Sequence, residues 1–271
     1  MGRIIAVVNQ KGGVAKTTSV YHLGVQLAAL GRRVLWVDLD PQAALSAWSG
    51  LAPEAQSRTV YHGLLTREPV RNLIVPDRHG PHLVPSGLEL TLAELELVGQ
   101  MAPERRLSRL LGPVRDEYDY ILIDTQPSLG ILTQNALVAA DEAVVPVACE
   151  YLAVRVLSLV VRALARIRVQ ANSQLKVAAI LPTLYDGRTR HAREALDQIR
   201  QAFAGRYRIF EWPVVRSIRF AEAAARGAAI WEIAPGHPGG RVYQAVAAAL
   251  DGRPAPLGPG ETLLEEEPAA Q

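Results

Sequence analysis

Near-continuous apolar runs alternate with helix-like patterns along most of the chain, and this alternation limits the possible folds more than any other feature. The run at 3–9 ends in a loop, and apolar residues then recur with helical spacing over 17–30. Further strand-like runs lie at 33–38, 118–124, 143–148 and 176–181. Strands that are apolar on both faces and separated by helices are typical of a parallel sheet covered on both sides. The sequence therefore predicts an α/β fold.

One large domain is predicted over residues 1–250, because a chain of 271 residues can bury a single large core. The pattern weakens over 51–88, where five prolines interrupt it, and a peripheral insertion is expected there. From residue 251 the sequence becomes a Pro/Gly-rich linker that ends in glutamates, so 251–271 is predicted to be a disordered tail. The longest uncharged stretch, 125–140, is shorter than the roughly 20 apolar residues of a membrane span, and no transmembrane helix is expected.

Charge and cysteine content bear on the compartment and on the partners. Five acidic residues against one arginine give 251–271 a net charge of −4, whereas the whole chain carries +2, so 1–250 is basic at +6. The single cysteine, Cys149, excludes a disulfide framework, and the six histidines show no metal-ligand spacing. Only two residues precede the first strand, so neither a signal peptide nor an N-terminal helix-turn-helix domain is expected. These features predict a cytoplasmic protein.

A glycine-rich loop at 9–18, Asn-Gln-Lys-Gly-Gly-Val-Ala-Lys-Thr-Thr, separates the first strand from the first helix. Its glycines allow backbone N–H groups to surround a phosphate, and the helix N-terminus adds positive charge. Lys16 is expected to reach the β and γ phosphates, and the Thr17 hydroxyl is expected to bind Mg²⁺. The predicted ATP-binding residues of the loop are Lys11, Gly12, Gly13, Val14, Ala15, Lys16, Thr17 and Thr18.

The lysines of this loop stand out from the composition. The chain has three lysines among 29 basic residues, and two of them, Lys11 and Lys16, lie in the loop. A compact ammonium group on a flexible stem therefore has a specific use at these positions. The strict pattern G-x-x-x-x-G-K-[ST] nevertheless fails twice, at Gln10 and at Ala15.

The loop matches instead the deviant Walker A motif K-G-G-x-G-K-[ST], with its additional lysine at the front, and here the sequence resembles the ParA/Soj family of partition ATPases, relatives of MinD. Residues 37–42 are similar to that family's switch I, 118–124 to its Walker B strand and 127–130 to its switch II. Segments 185–189 and 214–223 resemble two further family segments. The resemblance implies a P-loop NTPase domain with a mostly parallel, twisted sheet and helices on both faces.

Two departures from the family pattern carry expectations of their own. Ala15 replaces a glycine, and a positive φ at this position would cost about 1 to 2 kcal/mol because of its Cβ. Either the loop adopts an ordinary angle or nucleotide affinity is reduced. Gln126 replaces a proline and is expected to loosen switch II.

The resemblance implies roles for the site residues. Asp124, at the end of an apolar strand, is expected in the water shell of Mg²⁺, and Asp40 is implied to position the attacking water. Lys11 is implied to reach across a two-fold axis to the ATP of a partner subunit, so that two chains enclose two nucleotides. The predicted catalytic residues are Lys11, Lys16 and Asp40, and the predicted metal site consists of Thr17, Asp40 and Asp124.

Two further positions near the nucleotide receive assignments. Asp38 and Asp40 lie two residues apart at a strand end, hence on one side of it. Asp38 is expected near the metal or in a structural role, with capping of the following helix as the alternative. The resemblance implies that contacts to the base come from around 212–214, and Pro213 is assigned to them.

Four arginines form the predicted DNA-binding surface. Arg188 and Arg190 follow a strand at the start of a helix, and Arg216 and Arg219 lie three apart at another helix start, where side chains share a face. In the family the matching arginines hold double-stranded DNA without reading its sequence, through salt-dependent phosphate contacts. A solvated arginine surface is the alternative.

The sequence thus predicts a Mg²⁺-dependent ATPase with weak intrinsic activity that dimerises on binding ATP, binds DNA non-specifically in the nucleoid and serves chromosome or plasmid segregation. A ParB-like centromere-binding protein is the implied stimulating partner. A MinD-like protein that cycles on membranes is the alternative; it requires a basic amphipathic C-terminal helix, whereas 261–271 is acidic, so no membrane partner is expected. A scaffold that binds nucleotide without hydrolysing it is a third possibility.

Overall fold

A seven-stranded sheet organises the part of the chain that the computed structural model describes, residues 1–257. Its strands in chain order are β1 (Arg3–Val7), β2 (Val34–Leu39), β3 (Val75–Pro76), β4 (His82–Val84), β5 (Tyr120–Thr125), β6 (Glu142–Ala148) and β7 (Lys176–Thr183). In space the order is β3-β4-β2-β5-β1-β6-β7. The pair β3–β4 is antiparallel and the other pairs are parallel. The predicted α/β class with a mostly parallel sheet is confirmed.

Helices cover both faces of this sheet. In chain order they are α1 (Lys16–Ala29), α2 (Ala44–Trp48), α3 (Val60–Leu65), α4 (Leu90–Val98), α5 (Arg106–Leu111), α6 (Ile131–Ala139), α7 (Ala153–Gln170), α8 (Arg190–Phe203), α9 (Arg219–Ala225), α10 (Ile230–Ile233) and α11 (Pro238–Leu250). Short 3₁₀ turns lie at 53–55, 70–72, 103–105 and 112–117. Within residues 1–257, no helix combines the length and the apolar character that a membrane crossing needs.

The strands divide their side chains between two apolar cores. In β1, Ile4 and Ala6 belong to the core under α3–α8, whereas Ile5 and Val7 belong to the core under α1, α2 and α9–α11. Because both faces are covered, β2 and β5 are buried along their whole length. This explains the continuous apolar runs in the sequence.

The segment 51–88 is part of this architecture, so the expectation of a peripheral insertion is wrong. It supplies α3, β3 and β4, and β4 pairs with β2. Leu64 and Leu83 are fully buried. Of the prolines that weakened the pattern, Pro53 begins a 3₁₀ turn and three others lie between elements. Pro76 lies in a strand at the sheet edge, where the missing N–H costs little.

The packed chain continues past residue 250, where the sequence placed the domain boundary. The Asp251 carboxylate accepts hydrogen bonds from Arg32 Nε (2.8 Å) and from the Tyr120 hydroxyl (2.9 Å). Leu257 is buried in the core that α1 and α11 close. The rest of the predicted tail, 258–271, lies outside the described residues.

Candidate nucleotide site

The loop that follows β1 is anchored at its base by Asn9. The buried Asn9 side chain accepts a hydrogen bond from the Lys11 N–H (2.9 Å) and donates one to the carbonyl of Pro146 in β6 (2.6 Å). The loop is therefore tied to the neighbouring strand as well as to β1. Sequence reasoning gave Asn9 no role, although a polar residue at the end of an apolar run was a signal for one.

The backbone of the loop adopts left-handed conformations at two positions. Gly13 has a φ of 69°, and a Cβ there would meet no atom within 4 Å, so glycine is needed for its backbone rather than for space. Ala15 has φ 66° and ψ 34°, so its Cβ costs about 1 to 2 kcal/mol. Of the two expectations for Ala15, an ordinary backbone angle is thereby excluded.

Helix α1 begins directly after Ala15, at Lys16. No side chain caps this end, so the N–H groups of the first turn lack intrahelical partners and concentrate positive potential at the loop. The Lys16 side chain is buried, and its Nζ donates to the carbonyl of Lys11 (3.2 Å) across the loop. Burial lowers the pKa of Lys16, and the carboxylates of Asp124 and Asp40 oppose that effect. An ammonium group thus lies inside the loop, close to two carboxylates.

Thr17 and Asp124 meet beside this lysine. The Thr17 hydroxyl donates to Asp124 Oδ2 (2.6 Å), while Asp124 Oδ1 is buried without a hydrogen-bond partner. Burial and the nearby Asp38 raise the pKa of Asp124 well above its usual range. A carboxylate oxygen in this situation is costly unless a cation or donor reaches it.

The pair fits a magnesium ion. Hydroxyl and carboxylate oxygens are the ligands that Mg²⁺ prefers, and a Mg²⁺ ion bound with a nucleotide takes few protein ligands because phosphate oxygens and waters supply the rest. Among residues 1–257 no group of three or more His, Cys, Asp or Glu side chains could hold a metal by itself. The arrangement is therefore one that a metal–nucleotide complex would complete.

Asp38 lies opposite Asp124 in the register of β2 and β5 and has a structural partner. Its Oδ2 accepts from both the N–H (2.8 Å) and the hydroxyl (2.7 Å) of Ser46 in the first turn of α2. Burial raises the pKa of Asp38 to about 6. Asp38 thus has a structural role, since it accepts an N–H of the first turn of α2, although the residue at the N-cap position is Ala43. Asp40 is also buried, and its Oδ1 accepts from the Gln42 N–H (2.9 Å).

Switch II is tethered at the position of the missing proline. Gln126 Nε2 donates to Glu94 Oε1 in α4 (2.8 Å). This hydrogen bond opposes the loosening that the sequence led us to expect, since proline has no side-chain donor. Glu94 was not foreseen because it lies 32 residues away in a segment with no recognised motif.

Lys11 forms an ion pair with Glu150 of its own chain, in the loop after β6. The Lys11 side chain is 41% exposed, so it lies at the surface of the site rather than inside it. Glu150 is a third residue that sequence reasoning missed, because it is 139 positions away.

The residue after Pro213 is bonded to β7, the strand that also contacts the phosphate loop. The N–H of the next residue, Val214, donates to the carbonyl of Pro182 (2.9 Å). The hydroxyl of Thr183 at the end of β7 in turn donates to the carbonyl of Val14 (3.1 Å). The segment assigned to the base therefore runs beside the strand that supports the phosphate loop.

The first arginine pair lies at the start of α8. The side chains of Arg188 and Arg190 are 80% and 86% exposed. Arg188 pairs with Asp186 (2.9 Å) and Arg190 with Glu194 (2.6 Å). Such exposed pairs are weak, so both guanidinium groups remain accessible to another anion.

The second arginine pair does not share a helix face. α9 begins at Arg219, so Arg216 lies outside it, and the expectation of one helical face is wrong. The reason is that the Arg216 N–H donates to the carbonyl of Tyr185 (2.9 Å) in a strand-like bridge, which holds this stretch extended. The hydrogen bond from Arg188 and the nearby charge of Arg216 both lower the pKa of Asp186, so Arg216 lies near the Arg188–Asp186 pair. Arg219 pairs with Glu222 (2.7 Å).

Comparison with known sequences identifies a protein family and several relatives of this chain. The model of the AAA domain family matches residues 2–177. The chromosome-partitioning ATPase Soj of Thermus thermophilus is 43% identical over 252 residues, which cover 93% of this chain and 96% of that protein. The chromosome partitioning protein ParA of Myxococcus xanthus is 40% identical over 228 residues, covering 84% of this chain and 80% of that protein.

Solved structures extend the likeness to three dimensions. A crystal structure of cobyrinic acid a,c-diamide synthase from Mycobacterium smegmatis has a TM-score of 0.81 and 34% identity, covering 94% of this chain and 98% of that one. The same protein with bound ADP and magnesium has a TM-score of 0.77 and 36% identity, covering 95% and 99%.

The loop after β1, the lysine and threonine that open α1 and the buried aspartate of β5 define a P-loop nucleotide-binding protein. The sequence relatives narrow this class. The chain belongs to the ParA/Soj family of partition ATPases.

Proposed function

We propose that the protein binds ATP with Mg²⁺, dimerises through the face that carries the nucleotide, binds double-stranded DNA non-specifically and leaves DNA after ATP hydrolysis stimulated by a ParB-like protein. It would act in the cytoplasm, on the nucleoid, in chromosome or plasmid segregation. The observation that carries the proposal is the unpartnered Asp124 Oδ1 beside the Thr17 hydroxyl, at the foot of an anion-binding loop. Relatives named as partition ATPases support the cellular role.

The nucleotide would be held from three sides. The loop N–H groups and Lys16 would bind the phosphates, and Thr17 with Asp124 would hold Mg²⁺. On the third side lies the segment with Pro213, where the indole N–H of Trp212 is buried without an acceptor. A relative of known structure binds ADP with magnesium, in agreement with this assignment.

Hydrolysis would depend on charge and position rather than on a covalent intermediate. Asp40 lies at the end of β2 beside the Lys16 ammonium and would orient the attacking water. Without a partner protein the turnover should be slow. We expect Asp40→Ala to bind ATP and accumulate as a dimer on DNA; hydrolysis at the wild-type rate would contradict the assigned role.

Dimerisation would require Lys11 to exchange one anion for another. In the single chain the Lys11 ammonium pairs with Glu150 at the surface. In the dimer it would leave Glu150 for the phosphates of the partner subunit's ATP, where it would stabilise the charge of the transition state. Light scattering after size exclusion, with ATP and with ADP, tests this: Lys11→Ala should remain monomeric in both, while Lys176→Ala, which removes a lysine at the start of β7, should dimerise like the wild type.

DNA binding would use the neighbouring arginines of 188–190 and 216–219. A mobility shift on arbitrary duplex, without nucleotide, with ADP and with ATP, at low and moderate salt, tests the proposal. A complex that forms only with ATP and weakens with salt is expected. Binding that is indifferent to nucleotide, or no binding at all, would leave a P-loop ATPase with another cargo.

The arginine assignment has its own test. Arg219→Ala should weaken DNA binding several-fold and lower the salt slope by about one, because one phosphate contact is lost. Arg155→Ala, which removes an exposed arginine from α7, is the matched control. ATP-dependent dimerisation should survive both changes, and equal salt-dependent binding curves would remove Arg219 from the DNA surface.

A further inference from the structure

A cavity of about 420 Å³ lies between α3, α5 and the 3₁₀ turns at 70–72 and 112–117. Its apolar walls, which include Val70 and Leu110, belong to the core on the face of the sheet opposite α1. None of its lining residues belongs to the phosphate loop, to the switches or to the arginines assigned to DNA. The cavity is therefore separate from the nucleotide site.

Three arginines line this cavity, and none of them has an anion to bind. The side chains of Arg67, Arg106 and Arg109 make no hydrogen bond or ion pair with any residue of 1–257, and the Nε of Arg106 is buried without an acceptor. Arg71, just outside the cavity, shows the contrast because it is paired with Glu117. A buried guanidinium donor without an acceptor is unfavourable, so an anion that reached it would gain a charge-assisted hydrogen bond.

The cavity's own carboxylate does not neutralise these arginines. Glu68 accepts a hydrogen bond from Asn72 Nδ2 (2.8 Å) and lies 3.5 Å from Arg58 Nη1. Glu68 is thus already bonded to other residues. The cavity combines three arginine side chains without carboxylate partners with the apolar residues Pro69, Val70, Leu110 and Pro113.

A segment of this same chain has the complementary chemistry. Residues 261–267, outside the described part, read Glu-Thr-Leu-Leu-Glu-Glu-Glu and offer four carboxylates around two leucines. Its glutamates account for most of the acidic charge of 251–271, whereas 1–250 is basic. We propose that the basic cavity binds the chain's own acidic segment 261–267.

A series of contacts connects the end of α11 with the turn that borders the cavity. The carbonyl of Leu250 accepts a hydrogen bond from Arg3, and Arg115 donates to the carbonyl of the adjacent Gly2 (2.9 Å). Arg115 belongs to the same 3₁₀ turn as Pro113 of the cavity. The last described residue is Leu257, so the tether is 258–260, and the four steps from 257 to 261 span at most about 14 Å. The segment itself can extend about 20 Å further, which brings its last glutamates within about 30 Å of Leu257. A tether that spans the distance gives its ligand an effective concentration of about millimolar, so that a weak contact suffices.

A labelled peptide of sequence 258–271, followed by fluorescence anisotropy, tests the proposal on the full chain. The acceptor carries Glu265→Gln, Glu266→Gln and Glu267→Gln, so that its own tail does not compete. This acceptor should bind the peptide at least about tenfold more tightly than the wild-type chain, whose cavity is already occupied by the tethered segment.

Arginine variants locate the binding. In the same acceptor, Arg67→Gln with Arg109→Gln should weaken peptide binding about tenfold or more, because two charge-assisted contacts are lost. The matched control is Arg155→Gln with Arg162→Gln, which removes the same charge from α7, away from the cavity. Both targeted arginines are exposed and unpaired within 1–257, and an unchanged thermal midpoint and unchanged nucleotide binding will show that each variant is folded.

Three results would overturn the proposal. The first is equal loss of peptide binding in the two double variants, which would indicate non-specific attraction to arginine. The second is equal affinity of the wild-type chain and of the acceptor, which would mean that the tethered segment does not compete. The third is displacement of a weakly bound peptide by inorganic phosphate at equal ionic strength, which would identify a site for small anions. None of these results bears on ATP-dependent DNA binding, which rests on other residues.

Discussion

Helix α1 contributes to two groups of buried polar side chains, and only one of them has a hydrogen-bond partner for each of its polar atoms named here. At its first turn, Lys16 and Thr17 face Asp124, one of whose oxygens has no partner. Further along, His22 is bonded at both ring nitrogens, through its Nδ1 to the Thr18 carbonyl (2.8 Å) and through its Nε2 to the Ile230 N–H (3.1 Å). Buried polar groups with every bond made stabilise a fold, whereas an incomplete group marks the place of a ligand.

The surroundings of His22 show why it stays neutral. Its ring stacks on Tyr243 at 5.0 Å and meets Trp48, Phe220 and Trp231 edge-on at 5.3 to 5.4 Å. Complete burial lowers the pKa of His22 to about 3, so the imidazole is uncharged at neutral pH. A histidine without ligand spacing is thus a structural residue at the centre of an aromatic cluster.

The largest expected effect is the loss of ATP hydrolysis when the group of Lys16, Thr17 and Asp124 is changed. Asp124→Asn should slow ATP hydrolysis at least about 100-fold, since loss of a metal or charge contact costs this much in other enzymes. The thermal midpoint without nucleotide should not fall, because a neutral amide replaces a carboxylate that burial disfavours. Phosphate release measures the rate of hydrolysis, and thermal denaturation without nucleotide measures the midpoint. A lower midpoint together with hydrolysis at the wild-type rate would show that Asp124 serves the fold rather than the nucleotide.

A change at His22, whose ring nitrogens are both hydrogen-bonded, should reduce stability and leave nucleotide binding intact. His22→Ala should lower the free energy of unfolding by about 3 to 5 kcal/mol, through a cavity and an unpaired Ile230 N–H. Nucleotide affinity of the folded fraction should be nearly unchanged. Denaturant titration measures the first quantity and a fluorescent nucleotide the second. His191→Ala, at an exposed position of α8, is the control and should change neither.

The pH dependence of the free energy of unfolding tests the assignment of His22 as a neutral, buried residue. The unfolded chain protonates His22 near pH 6.5, whereas the folded chain resists protonation down to a pKa of about 3. Between these values the unfolded state binds the extra proton, so the His22 contribution to stability falls by about 1.4 kcal/mol per unit as pH is lowered. The raised pKa of the Asp38 carboxyl has the opposite sign. The slope should therefore be compared with that of His22→Gln, and equal slopes between pH 6.5 and 4 would contradict the assignment.

The smallest effect concerns the loop itself. Ala15→Gly should relieve about 1 to 2 kcal/mol of left-handed strain, less about 0.4 to 1 kcal/mol from the added freedom of the unfolded chain. A net gain in stability below about 1.5 kcal/mol is expected, with nucleotide affinity equal to or above that of the wild type. Weaker binding of nucleotide by the glycine variant would show that Ala15 itself contributes to nucleotide affinity.

The sequence predicted those parts of the site that are contiguous in the chain. Lys16 and Thr17 follow from a loop pattern, and Asp124 follows from its place at a strand end. Glu94 and Glu150 could not be predicted, because they meet Gln126 and Lys11 only through the packing of distant segments. The same limit explains the wrong expectations: spacing cannot show that a bridge between 185 and 215 holds Arg216 extended, or that a proline-rich stretch supplies β4.

Both edge strands of the sheet, β3 and β7, are poorly suited to pairing with a further strand. On one side β3 is two residues long and contains Pro76, which cannot donate to a ladder. On the other side, the backbone of β7 is bonded by residues 208–210, with Ile180 donating to the Arg208 carbonyl and accepting from the Phe210 N–H. Within residues 1–257 neither edge of the sheet therefore offers a long unpaired strand as a template for cross-β aggregation.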